Sequence, residues 1–201
     1  AVLAERWDTA LLSVLEDQMV LNGIKIMAAR QRMIDSLSNG YEQIQTGAFP
    51  GAELKLEGVL EKDFPLLEES EVKHRLSSAL LAGRRRDSEA GRALNGPHRA
   101  DLSVIHAPKQ QVARLCSTGE QKALLVGLIL SHAVAVTDRG GPLFVLLLDE
   151  IAAHLDHSRR EALADILCVL PVQVFMTGTD REPFSPWEGR AQFVHLPAEN
   201  N

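Results

Sequence analysis

The sequence predicts an α/β protein, a mostly parallel sheet flanked by helices with a helical arm at its N-terminus. Three observations predict it. Leu143 to Leu148 is continuously apolar and ends on two acids, Asp149 and Glu150, as a strand buried on both faces of a parallel sheet reads. A polar turn, Cys116-Ser117-Thr118-Gly119-Glu120, leads into an apolar run from Ala123 to Val136, the pattern of a core helix. The first forty residues place Trp7, Leu11, Leu15, Ile24, Met27, Ile34 and Leu37 at helical spacings with charges between them.

Composition supports that class and narrows function. At 201 residues, 45% apolar and 24% charged, the chain suffices for one ordinary core. Aromatics make up 4%, so the core must be mostly Leu, Val, Ile and Ala. A net charge of −6 excludes coating nucleic acid by bulk charge but leaves room for a local basic patch. Two cysteines, Cys116 and Cys168, are too few for a disulfide framework and read as reduced in a cytosol. Leu143–Leu148 is too short to span a bilayer, and Gly127, Ser131 and His132 interrupt the longer run. A cytoplasmic protein without a membrane partner is therefore expected. The chain starts on Ala rather than Met, which suggests a fragment.

In order, helix is expected from Ala1 to about Gly40, with a break at Asn22-Gly23 that gives two helices or one kinked one. Asn39-Gly40 and Phe49-Pro50-Gly51 bracket a loop, and the alternation from Glu53 to Leu60 predicts a half-buried strand. Leu66 to Leu81 reads as helix, acids early and bases late, which suits the helix dipole. Arg84, Arg85 and Arg86 follow it, then Arg92, His98 and Arg99 in a loop with Gly91, Gly96 and Pro97. That run is either a solvated charge cluster or a basic loop that grips phosphates. Leu102–His106 predicts a strand, Ser158–Leu170 a helix capped by Asp156 and stopped by Pro171, and Val172–Met176 another strand. Pro183–Trp187 reads as a loop and Gln192–Leu196 as a last strand.

Two clusters carry chemistry. Ser117-Thr118-Gly119-Glu120 satisfies the capping box, which alone is only a well-made helix start. A helix N-terminus with a Ser hydroxyl and a Gly allowing close approach also suits phosphate. Asp149 and Glu150 fall where α/β sheets present ligands, at the C-terminal end of a strand. Adjacent carboxylates there are costly without a cation or proton. They suit Mg²⁺ held by the Asp and water activated by the Glu.

With Leu155-Asp156, these residues resemble the signature, Walker B and D-loop of ABC-type ATPases. Gly96-Pro97-His98-Arg99-x-Asp101 ahead of them narrows the resemblance to the RecF family of DNA-repair ATPases, and the N-terminal helices carrying a Trp look like that family's lid. The resemblance implies residues 1–65 as a helical lid with a short strand region and 66–201 as the C-terminal half of an ABC-type head. It implies that Asp149 holds Mg²⁺ and that Glu150 is the catalytic base. Ser117 and Gly119, with Glu120 beside them, would meet the γ-phosphate of ATP held by the opposite subunit of an ATP-dependent homodimer, with Asp156 at the interface. Thr177 stands where transporter-type relatives place a switch His. Partners implied are DNA at single-strand/double-strand junctions and the RecR and RecO mediators.

Three departures are plain. Cys116 and Thr118 replace the Leu and Gly of the general signature, Glu120 replaces Gln, and no Gly-Lys dipeptide exists, so no G-x-x-x-x-G-K-[ST] loop is present. The chain alone is expected not to hydrolyse ATP. The alternatives are another ABC- or SMC-like head, or an interaction module that never hydrolyses; the upstream sequence discriminates.

Overall fold

Helix α1, Thr9–Gln43, is the element against which the other two long helices and the first strand pack. In this computed structural model the described residues are 9–44, 47–58, 60, 61, 63–138, 140 and 144–196. Trp7 of the expected arm, and Leu143 at the start of the expected strand, lie outside them. Asn22-Gly23 does not divide the arm into two helices: α1 runs through it and through Asn39-Gly40. The glycines answer to packing instead. A β-carbon on Gly23 would come 2.9 Å from Pro97 Cγ, and one on Gly40 would collide with the Ser131 carbonyl.

Strand β1, Ala52–Glu57, pairs antiparallel with β2, Asp101–His106, and β2 with β3, Gln111–Val112. Only four residues join β2 to β3, and a connection that short closes only an antiparallel pair. Helix α2, Glu69–Ala90, lies between β1 and β2 in sequence. Because β1 pairs with β2, one sheet spans the division expected at residue 65.

Helix α2 continues nine residues past its expected end. Its stop is Gly91, at φ 65°, where the Gly91 N–H donates to the Ser88 carbonyl and the Arg92 N–H to that of Asp87. This is the left-handed helix stop that glycine favours. Arg84, Arg85 and Arg86 are therefore on a helix and not in a basic loop. His98 and Arg99 belong to a single 3₁₀ turn, Pro97–Arg99, entered through Gly96 at φ 133°. A longer 3₁₀ segment, Glu182–Trp187, replaces the loop expected over Pro183–Trp187.

Helix α3, Thr118–Asp138, is long and apolar enough to cross a membrane by length and composition. In the fold it is a core helix laid along α1, with Ala123, Leu124, Leu130 and Ser131 buried. Tyr41 of α1 is 2% exposed, donates its hydroxyl to the Leu124 carbonyl at 2.6 Å, and has its pKa pushed far up by burial. Two cores share α1. Val20 and Met27 join Leu60, Val72, Leu76 and Leu80, while Leu37 and Tyr41 join Leu130, Leu148, Leu163 and Trp187.

Strand β4, Val145–Leu148, pairs in parallel with β5, Gln173–Met176, and helix α4, His157–Val169, connects them. The α/β class therefore holds, with parallel pairing among the described residues confined to this unit. Burial on both faces does not hold. Leu146 and Leu148 face the core, but Leu147 is 72% exposed and Phe175 53%. One side of the pair carries packed helices and the other carries nothing among the described residues. No strand forms over Gln192–Leu196, because no neighbouring strand among the described residues offers it a hydrogen-bond ladder. Phe193 instead lies under the Arg181 guanidinium, 5.0 Å from its ring centre.

Candidate nucleotide and metal site

The first cluster is the start of α3. The Ser117 hydroxyl oxygen accepts the Glu120 N–H at 3.4 Å, and Glu120 Oε2 accepts the Ser117 N–H at 3.0 Å. This is the reciprocal capping box, satisfying two donors that a helix start otherwise leaves unpaired. Glu120 Oε1 pairs with the Lys109 ammonium. Lys109 beside it, helped by the Ser117 N–H, lowers the Glu120 carboxyl from its ordinary value to about 2, and Glu120 raises Lys109 in return. Ser117, Thr118 and Gly119 are exposed. A β-carbon on Gly119 would meet nothing within 4 Å, so no contact inside this chain demands glycine there. The space above it is open to an approaching group. With the Ser117 oxygen serving as acceptor, its hydroxyl proton remains to donate, which suits a phosphate oxygen.

The second cluster is the end of β4. Thr177, the residue after β5, donates its N–H to the Leu148 carbonyl at 3.1 Å and its hydroxyl to Asp149 Oδ1. The same Thr177 oxygen accepts the Glu150 N–H at 3.3 Å. Glu150 has a φ of 52°, a left-handed conformation that costs a non-glycine residue about 1–2 kcal/mol. One threonine thus fixes the direction of the Asp149 carboxylate and helps hold the turn that presents Glu150. Among the described residues no three His, Cys, Asp or Glu side chains gather into a metal cage. An exposed carboxylate with one oxygen tied by Thr177 fits Mg²⁺, which keeps most of its waters and takes few protein ligands.

The other expected residues stand apart. The Asp156 side chain caps α4 by accepting the Arg159 N–H at 2.9 Å and pairs with its guanidinium at 3.1 Å. Arg84 is bound bidentately to Glu16 of α1, Nε and Nη2 each at 2.7 Å, and also to Ser13. Its guanidinium ties α2 to α1 rather than standing free for DNA. Arg85 pairs with Glu89 on the same helix face, while Arg86, Arg92 and Arg99 are exposed and unpaired among the described residues. His98 shares a 3.0 Å hydrogen bond with the Ala93 carbonyl. Asp149, Glu150 and Thr177 are brought together, as are Ser117, Gly119 and Glu120. No hydrogen bond or ion pair among the described residues joins the two clusters. Sequence alone does not single out Lys109, because it lies eleven residues from Glu120 on another element, beyond any local motif.

No protein-family model matches the chain. It is 49% identical over 191 residues to the DNA replication and repair protein RecF of Mesorhizobium japonicum, covering 94% of this chain and 49% of that protein. It is 50% identical over 190 residues to RecF of Rhizobium meliloti and 47% over 192 residues to RecF of Brucella abortus, each match covering 50% of that relative. The chain spans about half the length of the curated relatives it matches. Among solved structures, the recombination mediator protein RecF of the RecFOR pathway matches in two forms. RecF-ATP aligns with a TM-score of 0.69 over 90% of this chain and 48% of that one. RecF-ATPrS aligns at 0.68 over 89% and 47%. Both are 21% identical, a likeness of fold.

Proposed function

We propose, from the premise that the chain belongs to the RecF family, that it forms the C-terminal half of a DNA-repair ATPase. Its residues would serve two composite nucleotide sites. The observation carrying this reading is the Thr177 bridge, which aims a strand-terminal Asp and the turn of its neighbouring Glu at one place. Asp149 would hold Mg²⁺ on ATP bound to its own subunit, and Glu150 would take the proton of the attacking water. When bound, Mg²⁺ neutralises charge on the β- and γ-phosphates. Ser117 and the α3 N-terminus would donate to the γ-phosphate held by the partner, with Asp156 nearby. Two sites per two-fold dimer follow, because each protomer offers one of each half. The phosphate loop would come from the part of the protein outside these 201 residues.

The relatives' name, DNA replication and repair protein, supports DNA as partner, and the RecFOR pathway supports RecR- and RecO-type mediators. A single-strand/double-strand junction is the DNA structure proposed. Arg86, Arg92 and Arg99 supply positive charge unpaired among the described residues, and Arg85, held only by the exposed Glu89 of its own helix, adds to it, Arg84 being occupied. Changing Arg85, Arg86 and Arg99 to Ala then lowers the salt slope of DNA binding by about 0.9 for each phosphate no longer neutralised. An unchanged slope returns these residues to solvent. Sedimentation of the full-length protein tests the dimer: with Mg²⁺ and ATP it associates, without ATP it stays monomeric. A monomer under both conditions overturns the composite site.

A further inference from the structure

We propose that Lys109 is a positioning residue of the α3 N-terminus: its ammonium cancels the Glu120 charge so that this helix start can receive a polyphosphate. The inference rests on the composite-site reading. Glu120 cannot turn away from the site, because its carboxylate is the acceptor that closes the capping box on the Ser117 N–H. It therefore places a negative charge beside the hydroxyl and open backbone that would meet an anion. A neutral Gln could make the same cap without that charge, so a carboxylate here is tolerable at a phosphate site only with a cation against it.

The cation comes from a separate and well-fixed element. Lys109 ends the 3₁₀ turn Ala107–Lys109 at the close of β2. The next residue, Gln110, sits at φ 49° and donates its side-chain amide to the Ala107 carbonyl at 2.8 Å, so the turn has one shape. The Lys109 side chain is 52% exposed and that of Glu120 19%, so the pair sits on the rim and not in the core. Arg114, exposed, and Lys122, half-buried, lie near in sequence, but neither pairs with Glu120 among the described residues. The paired charges add no net charge to the helix start, which keeps its own positive end.

The test uses the full-length protein, with Mg²⁺ and ATP as the probe and dimer dissociation constants from sedimentation as the readout. K109M weakens the ATP-dependent dimer roughly tenfold or more, since a bare carboxylate then faces phosphate at two sites. K109R retains the dimer, and K109M/E120Q restores it to within about threefold of the unmutated protein, because the charge needing cancellation is gone. A purely structural ion pair would instead show as an unfolding midpoint lowered with nucleotide absent, out of proportion to any loss of the ATP-dependent dimer. Unaltered dimerisation of K109M, or a double variant as weak as K109M, overturns the inference. Should K109M fail to fold, K109M/E120Q and E120Q alone are read instead, and a dimer weakened in E120Q overturns it. An unmutated protein that stays monomeric with ATP overturns the composite-site reading and this inference with it. A dimerising unmutated protein with an indifferent K109M overturns this inference alone.

Discussion

The start of α3 and the ends of β4 and β5 are built in opposite ways. The helix start is complete within itself: Ser117 and Glu120 satisfy each other, and Lys109 reaches in from the β3 side to balance the carboxylate. The strand ends are held together by one threonine, on a two-stranded sheet whose outer face leaves Leu147 and Phe175 open. A motif made of neighbours in sequence stands wherever its helix stands. A motif made across strands depends on whatever completes the sheet. Variants at the helix start should therefore act on stability as well as nucleotide binding, whereas variants at the strand ends should act on chemistry.

The sharpest break between the two comes from Glu150→Gln in the full-length protein. Loss of the proposed base lowers ATP turnover by about 10²–10⁴-fold in steady-state assays, prolongs the ATP-bound dimer, and leaves the melting temperature unchanged. Undiminished turnover would remove Glu150 from that role. Next in size is Thr177→Val, which frees the Asp149 carboxylate and the Glu150 N–H together. It should weaken Mg²⁺ dependence about 10–100-fold in a metal titration of nucleotide binding, and Thr177→Ser should recover most of that loss. A Val variant with the original Mg²⁺ midpoint would make Thr177 a strand-pairing residue only.

The helix start should show the reverse pattern, with a smaller effect. Ser117→Ala removes the cap and costs about 0.5–2 kcal/mol in thermal or denaturant unfolding of the full-length protein, with nucleotide absent. No loss of stability would mean that α3 is held by its packing on α1 alone. Smallest is the pH response. The Glu120 carboxyl is lowered from 4.5 to about 2, so its contribution is full above 4.5 and fades as pH falls toward 2. Lys109 is raised above 10.5, so its contribution is full below that and fades as pH rises through its folded value. The difference in unfolding midpoint between the unmutated protein and Glu120→Gln should therefore stay level from about pH 5 to 10 and shrink in acid. A difference that varies across neutral pH would contradict the pairing.

What can be read from sequence follows the same division. The Ser117–Glu120 box, the Asp156 cap of α4 and the alternation of β1 are legible because each is settled by residues a few positions apart. Gly23 reads as a break and is none, because its need is tertiary: Pro97 and Leu76 fill the space a side chain would take. Arg84 reads as free for DNA and is not, because Glu16, its partner, lies sixty-eight positions away on α1. The apolar run of β4 does announce two buried faces, but only one is covered here. Gln192–Leu196 reads as a last strand and lacks a neighbour to pair with among the described residues. In both, the pattern describes an environment that the described residues do not supply.

The central claim is that these two clusters serve different nucleotides, one in each subunit. Mixing two inactive full-length variants, S117R and E150Q, tests it most directly. In the mixed dimer one site receives Glu150 from the first protomer and Ser117 from the second, while the other site receives neither. ATP turnover should therefore reappear on mixing, reaching roughly a quarter of the unmutated rate at equal proportions. A mixture as inactive as its two components would contradict the claim.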